Sequence, residues 1–311
     1  MRVVFMGSPQ FAVPSLEILA DAYPIVGVVT QPDRKAGRGR KIRQSAVKVW
    51  SLEHGLPIMQ PRRLKDPEAI EKLKNWTPDL IVVAAFGQIL PEEVLELPEW
   101  GCLNVHASLL PRWRGAAPVH ASILHGDTET GITIMKMDVG LDTGPILSQT
   151  STPIDPQETG GQLSDRLSQI GAVLLLETIP SYLEGNIKPI EQNHEQATYA
   201  PMLKKSDGAL DFNLTAEELA RQVRAFEPWP GSFFTWKGKR IVVRKAHVVS
   251  DTKGTRGAVN AVGELPAVST SQGSLVLEIL QPAGGKSMPG DAFMRGARGF
   301  LGTELTSPSN V

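Results

Sequence analysis

The chain has 311 residues, a formal net charge of −1 at pH 7 and 41% hydrophobic residues. This length supports two ordinary domains, and the near-zero charge excludes a protein that binds polyanions through its overall charge. The single cysteine, Cys102, excludes an intrachain disulfide and a zinc site built on several thiolates. Gly7 and Pro9 end the first apolar run after a few residues, which is too short for the core of a signal peptide. The longest apolar run, "LIVVAAF", is too short to span a membrane, so we expect a cytoplasmic protein.

The first two-thirds of the chain alternate short apolar runs with helix-like stretches. Strands are predicted over 2–6, 24–30, 57–59, 79–86, 102–108 and 131–138. Helices are predicted over 14–22, 45–55, 66–76 with Asp66 as N-cap, 91–97 and about 157–183. This alternation favours βαβ units in a doubly wound, mostly parallel sheet, which binds ligands at the carboxyl ends of its strands.

The composition changes after this region. Residues 186–207 are polar, and their apolar residues do not repeat at the spacing of a helix or a strand. This predicts a linker between a first domain at 1–185 and a second at 208–311. The second domain has one predicted helix over 216–226 and β-rich segments over 231–236, 239–249 and 274–284. These segments favour a small antiparallel β-barrel. From residue 201 on, Lys and Arg outnumber Asp and Glu.

One segment inside the first domain concentrates positive charge and glycine. The stretch "DRKAGRGRKIR" has no acid after Asp33, and its basic residues are Arg34, Lys35, Arg38, Arg40, Lys41 and Arg43. Such a run is often only a solvated face. Here the glycines favour a flexible loop whose self-repulsion a phosphate-rich partner would relieve, and an RNA backbone suits it better than a small anion.

Three polar residues near predicted strand ends are candidates for chemistry. Asn104 and His106 are two apart on a strand and therefore share one face, and Asp142 follows the next strand in a glycine-containing loop. The alternative is a packed core histidine with a turn-capping Asn104 and an ordinary turn aspartate. A metal held by Asp138, Asp142 and His106 is also open, although their spacing matches no recognised ligand pattern. The turn "MGSPQF" lacks G-x-G-x-x-G, which argues against a dinucleotide cofactor.

The motifs "NVHASLLP" and "DVGLDTG" together resemble the signature of the 10-formyltetrahydrofolate-dependent formyltransferases. The resemblance implies a Rossmann-like formyltransferase domain with Asn104, His106 and Asp142 as the catalytic group. It also implies 10-formyltetrahydrofolate as formyl donor and no metal in the chemistry. The folate site implied is lined by Ser108, Leu109, Leu110 and Pro111, with Leu90 on the opposite side.

Further segments, among them "TQPDRKAGRGRK", "AAFGQILP", "FEPWPGSFF" and "LQPAGGKSM", resemble the members of this family that formylate initiator methionyl-tRNA. The resemblance implies transfer to the α-amine of methionine on that tRNA, for translation initiation. The basic loop and an OB-like C-terminal barrel would contact the tRNA, and we expect a monomer. Two alternatives remain: a folate-dependent formyltransferase or hydrolase acting on a small amine, an amino sugar or water, and a non-catalytic RNA-binding protein. The roles of Arg112 and Arg114 are open.

Overall fold

The computed structural model describes residues 1–36, 41–251 and 254–306, and for Lys35, Ala36 and Lys41 the backbone alone. The chain forms two compact units. The first comprises Met1–Pro118, Glu129–Pro153 and Ser164–Pro201, and the second Val119–Thr128, Ile154–Leu163 and Met202–Val311. The domains predicted from the sequence, a first at 1–185 and a second at 208–311, stay a prediction.

The strands up to residue 200 are β1 Val3–Gly7, β2 Ile25–Val29, β3 Arg34–Ala36, β4 Lys41–Arg43, β5 Ile58–Met59, β6 Leu80–Ala84, β7 Cys102–His106, β8 Arg114–Gly115, β9 Glu129–Lys136, β10 Ile146–Pro153 and β11 Tyr199–Ala200. The helices up to that residue are α1 Val13–Ala22, α2 Ala46–Glu53, α3 Pro67–Trp76, α4 Glu92–Leu95, α5 Pro118–Leu124 and α6 Gly160–Leu183.

The described residues of the first unit build a seven-stranded sheet of order β10-β9-β7-β6-β1-β2-β5. Strands β5, β2, β1, β6 and β7 pair in parallel, and β9 and β10 add an antiparallel edge. Strands β1, β6 and β7 are buried along their whole length, as expected where helices cover both faces of a parallel sheet. The predicted doubly wound, mostly parallel domain is confirmed.

Helix α6 fixes which face of β7 is available for a site. A Cβ added to Gly171 of α6 would lie 2.8 Å from Cγ1 of Val105, so the helix backbone comes directly against the Val105 side of the strand. Side chains alternate along a strand, and Asn104 and His106 therefore point to the other face.

Two features of the first unit differ from the sequence prediction. The segment 34–43, predicted as a flexible loop, contains the antiparallel pair β3 and β4, because charged residues and glycine weaken a strand pattern without preventing pairing. Arg38 and Arg40 lie outside the described residues. Asp66 occupies the N-cap position of α3, but its carboxylate accepts a hydrogen bond from Nε of Arg63.

From residue 202 on, the second unit is an antiparallel β-structure with helices packed against it. Its strands are β12 Ser232–Trp236, β13 Lys239–Val249, β14 Val259–Val262, β15 Leu265–Ser269, β16 Ser274–Pro282 and β17 Met288–Pro289, and its helices include α7 Ala216–Ala225 and α8 Gly290–Gly296. The strand order is β12-β13-β16-β15-β14, with β17 beside β16. Side chains from β12 to β16 and from both helices meet in one hydrophobic core, so the predicted C-terminal antiparallel β-domain is confirmed. Within the described part of the chain, no helix has the length and apolarity needed to cross a membrane.

Candidate active site

The structure brings Asn104, His106 and Asp142 together. Nδ2 of Asn104 lies 3.4 Å from Oδ1 of Asp142, and Nδ1 of His106 lies 3.7 Å from Oδ2 of the same carboxylate. Asn104 and His106 come from β7, and Asp142 comes from the loop between β9 and β10. All three side chains are largely buried, with exposed fractions of 8%, 5% and 14%. Low exposure weakens solvent screening, which strengthens the interaction between the carboxylate and the ring.

The imidazole of His106 is held by one backbone group. Its Nε2 lies 2.9 Å from the backbone oxygen of Trp113. A carbonyl can only accept, so Nε2 carries the hydrogen and Nδ1 is the nitrogen that faces Asp142. The 3.7 Å to Asp142 is too long for a hydrogen bond. Nδ1 therefore remains available to a ligand beside a negative charge.

The carboxylate of Asp142 is fixed by a backbone hydrogen bond. Its Oδ2 accepts a hydrogen bond of 2.8 Å from the backbone nitrogen of Gly115 in β8, at the end of the loop that follows β7. Asp142 also has a left-handed backbone, with φ of 52°. Such a conformation is uncommon for a non-glycine residue and is found in structures where the surroundings impose it. The Asp142 loop and the loop after β7 are thus joined at this carboxylate.

The predicted folate residues of the loop after β7 are ordered by Thr133 of β9. Its Oγ1 donates to the backbone oxygen of Ser108 at 2.6 Å and accepts from the nitrogen of Leu110 at 3.1 Å. Leu110 is buried, whereas Leu109 and Pro111 are partly exposed. The loop is therefore rigid at its backbone and offers a ligand the side chains of these last two residues.

Leu90 lies in the hydrophobic core of the first unit, so its side chain is covered and its backbone is what it offers a ligand. Its neighbour Ile89 is 86% exposed. In the Asp142 loop, Val139 and Leu141 are 70% and 59% exposed. Exposed apolar side chains on the loops around a polar cluster are typical of sites that bind a partly apolar ligand.

The base of the basic hairpin is fixed by Asp33. Its carboxylate accepts hydrogen bonds from Nζ of Lys48 at 2.7 Å and from Nε2 of Gln60 at 2.8 Å. The bonds from Gln60 and Lys48 hold the pKa of Asp33 below its usual value. Beyond this base, Arg34 and Arg43 are exposed and directly opposite each other on β3 and β4. Like charges at such a pair repel, and an anion between them would relieve the repulsion.

Asp138 does not join the cluster. Its Oδ1 accepts from the backbone nitrogen of Gly140 and from Oγ1 of Thr143, within its own loop. Among the residues that the structure describes, no group of three or more His, Cys, Asp or Glu side chains is placed to hold a metal ion. Burial raises the pKa of the Cys102 thiol to about 12 despite the charge of Lys136, which fits an inert core residue.

Two residues near the cluster were not identified from the sequence. Arg114, whose role was open, is 1% exposed and donates to Oε1 of Gln192 from Nε and a terminal nitrogen. Gln192 in turn donates to the backbone oxygens of Asp142 and Gly144. Nothing in the sequence pointed to Gln192, because it stands in a polar segment without period. Arg114 had a weak signal, its place in the "SLLPRWRG" motif.

Comparisons with known proteins show the family to which this chain belongs. Residues 1–179 match the family model "Formyl transferase", and residues 202–298 match "Formyl transferase, C-terminal domain". A methionyl-tRNA formyltransferase from Hydrogenovibrio crunogenus is 45% identical over 308 residues, which are 98% of this chain and 98% of the relative.

Solved structures at lower identity show the fold. WlaRD, a sugar 3N-formyl transferase whose structure was determined with dTDP and 5-N-formyl-THF, superposes with a TM-score of 0.66 at 19% identity, covering 91% of this chain and 97% of that one. A methionyl-tRNA formyltransferase from Clostridium thermocellum has a TM-score of 0.55 at 19% identity, covering 79% and 93%.

Proposed function

The chain belongs to the formyl transferase family, among the methionyl-tRNA formyltransferases, and from this premise we propose that it transfers the formyl group of 10-formyltetrahydrofolate to the α-amine of methionine on initiator methionyl-tRNA. The observation that carries the proposal is the convergence of Asn104, His106 and Asp142 in one buried polar cluster. A donor of hydrogen bonds, a titratable ring and a carboxylate are the groups that acyl transfer to an amine requires.

The formyl donor supplies the activated one-carbon group, and the chain supplies charge stabilisation and proton transfer. Attack by the amine places negative charge on the formyl oxygen. One amide hydrogen of Asn104 points towards Asp142 and leaves the second for that oxygen. Nδ1 of His106 donates only in the imidazolium form, because Nε2–H is bonded to Trp113. One such donor typically contributes about 3–4 kcal/mol to lowering the barrier.

Asp142 has two roles in this scheme. Its negative charge, 3.7 Å from Nδ1, stabilises the imidazolium that faces the developing charge. Its carboxylate also accepts, directly or through water, the proton that the amine must lose. The bond between the formyl carbon and the folate nitrogen then breaks, and that nitrogen takes up the proton as it leaves. Proton transfer by a placed group contributes roughly 10²- to 10⁴-fold to the rate.

We assign the folate to the space between the loop after β7 and the loop after β6. A pterin ring is apolar in its body and polar at its edge. Leu109 and Pro111 would form one wall, and the backbone near Leu90 would contact the polar edge. The exposed side chains of Ile89 and Leu141 support this assignment, since a ring packed between them would remove them from water.

We assign the acceptor end of the tRNA to the basic hairpin, with the domain at 208–311 contacting the tRNA elsewhere. The hairpin follows β2, a parallel strand whose carboxyl end lies at the same edge of the sheet as that of β7. The repulsion between Arg34 and Arg43 supports a polyanionic partner. A monomer suffices for this scheme, because one chain provides all the assigned groups.

The test is transfer of a labelled formyl group from 10-formyltetrahydrofolate to charged initiator methionyl-tRNA. We expect turnover by the wild-type protein and a loss of roughly 10²-fold or more in His106→Ala, which removes a donor to the developing charge. The matched control is His54→Ala, a histidine of the first unit whose Nδ1 bonds the backbone oxygen of Trp50 in α2. Wild-type turnover in His106→Ala would contradict the proposal.

A further inference from the structure

The polar segment 190–200, which we call the clasp, is bonded to both loops of the candidate site. At its start, Ile190 pairs with Ile146 at the beginning of β10. At its end, β11 pairs in parallel with β8. The sequence predicted a linker here, but in the structure the clasp belongs to the first unit.

Gln192 is the first anchor of the clasp. Its Nε2 donates to the backbone oxygens of Asp142 and Gly144, at 2.9 and 2.7 Å. Asp142 has a left-handed backbone, with φ of 52°, a conformation that is uncommon for a non-glycine residue. The two bonds from Gln192 flank the strained position and hold it in place.

Arg114 sets the orientation of the Gln192 amide. Its Nε and a terminal nitrogen donate to Oε1 of Gln192 at 3.0 and 2.7 Å, and the same terminal nitrogen lies 3.1 Å from Nδ1 of His194. A guanidinium has hydrogens to donate and no acceptor, so the amide must turn its oxygen to Arg114. Its NH₂ group is thereby directed at the two backbone oxygens of the Asp142 loop.

Thr198 is the second anchor. Its Oγ1 accepts a hydrogen bond of 2.9 Å from the backbone nitrogen of Trp113. Trp113 also has a left-handed backbone, with φ of 60°, and its oxygen is the group that accepts from Nε2 of His106. Thr198 therefore holds the residue that orients the His106 ring.

We propose that the clasp positions the catalytic pair, with Gln192 fixing Asp142 and Thr198 fixing His106 through Trp113. The inference rests on the proposed function, which gives the chemistry to His106 and Asp142. Gln192 and Thr198 are positioning residues, because they bond backbone atoms and not the reacting side chains. A displacement of about 1 Å at a reacting group can cost roughly 10²-fold in rate.

Two substitutions each remove one anchor and change the size of the side chain little. Gln192→Glu retains an oxygen for Arg114 but has no hydrogen for the two backbone oxygens. Thr198→Val keeps the shape of the side chain and loses the acceptor for Trp113, whereas Thr198→Ser keeps that acceptor. Gln196→Glu is the matched control, since it makes the same change at an exposed position of the clasp.

We expect kcat for formyl transfer to fall roughly ten- to a hundredfold in Gln192→Glu and Thr198→Val, with KM for both substrates nearly unchanged. Thr198→Ser should recover most of the rate, and Gln196→Glu should match the wild type. A clasp that serves only folding would instead lower the melting temperature without a selective loss of kcat. That result, or a Thr198→Ser variant as slow as Thr198→Val, would overturn the proposal.

Asp142→Asn separates this proposal from the proposed function. If Gln192 acts through Asp142, adding Gln192→Glu to Asp142→Asn lowers kcat no further. If kcat of the double variant is lower than that of Asp142→Asn by the same factor that Gln192→Glu causes in the wild type, the clasp proposal fails while the proposed function stands. If Asp142→Asn alone turns over like the wild type, the catalytic role given to Asp142 fails and the clasp proposal fails with it. If the wild type itself transfers no formyl group to the charged tRNA, it is the proposed function that fails.

Discussion

At the scale of single residues, the two nitrogens of His106 have different tasks. Nε2 donates its hydrogen to the backbone oxygen of Trp113, so Nδ1 is the atom that faces Asp142 and a bound ligand. The strand alternation in the sequence placed the ring on the same face as Asn104. It could not say which nitrogen faces the site, because Trp113 reaches His106 through a loop conformation that residue types do not determine.

The first prediction concerns Asp142. Asp142→Asn should lower kcat roughly 10²- to 10⁴-fold, because an amide neither takes up the amine proton nor stabilises the imidazolium of His106. The measurement is formyl transfer with both substrates saturating. Asp138→Asn is the control, since this carboxylate of the same loop bonds Gly140 and Thr143 instead. Equal losses in the two variants would show that loop folding, and not the Asp142 charge, sets the rate.

At the scale of elements, the hairpin of β3 and β4 presents the basic residues. Arg38 lies between its two strands, outside the described residues, and is the residue we assign most directly to a tRNA phosphate. The assignment comes from the resemblance of "TQPDRKAGRGRK" to the loop of the family, in which Arg38 is the matching arginine.

Arg38→Ala should therefore weaken tRNA binding without unfolding the protein. Plotted as log Kd against log salt concentration, its slope should be smaller than that of the wild type by about 0.7–0.9, the contribution of one phosphate contact. Filter binding or fluorescence titration over a range of salt measures this slope. Lys72→Ala, at an exposed position of α3, should keep the wild-type slope. An unchanged slope in Arg38→Ala would remove the hairpin from the tRNA site.

Helices and strands whose apolar residues repeat regularly were predictable from the sequence. Elements that form only by contact with residues far away in the sequence were not. Helix α6 was predicted over 157–183 and spans Gly160–Leu183, because its apolar residues repeat along one stripe. Strands β8 and β11 have two residues each and exist through pairing between distant parts of the chain. Gln192 is likewise defined by its partner Arg114, 78 residues away. No local sequence pattern shows which distant residues will be in contact. The sequence therefore predicted the chemical groups of the candidate site but not the residues that hold them in position.

At the scale of the whole molecule, stability should depend on pH through His120 of the second unit. Burial lowers the pKa of His120, although a hydrogen bond with the backbone of Trp229 opposes the shift. The unfolded chain therefore binds this proton at a higher pH than the folded chain does. As the pH falls below about 6.5, the ordinary value for histidine, proton uptake by the unfolded chain draws the equilibrium towards unfolding.

The wild-type melting temperature should consequently be lower at pH 5.5 than at pH 7.5. His120→Gln, which keeps a polar side chain but cannot take up the proton, should show a smaller fall over the same interval. Calorimetry or circular dichroism of the two proteins at several pH values measures the difference, and their comparison at pH 8 corrects for any packing change. Parallel pH profiles would show that His120 contributes no proton linkage.

We infer that a folate-dependent formyl transfer site and a tRNA-binding surface act together in one chain. The most direct measurement supplies 10-formyltetrahydrofolate and offers three acceptors in parallel: charged initiator methionyl-tRNA, free methionine and a small amino sugar. We expect formylation of the charged tRNA alone, lost in His106→Ala and impaired in Arg38→Ala. Formylation of the sugar, or hydrolysis of the donor without any acceptor, would keep the folate site and contradict the assignment of the basic hairpin to tRNA.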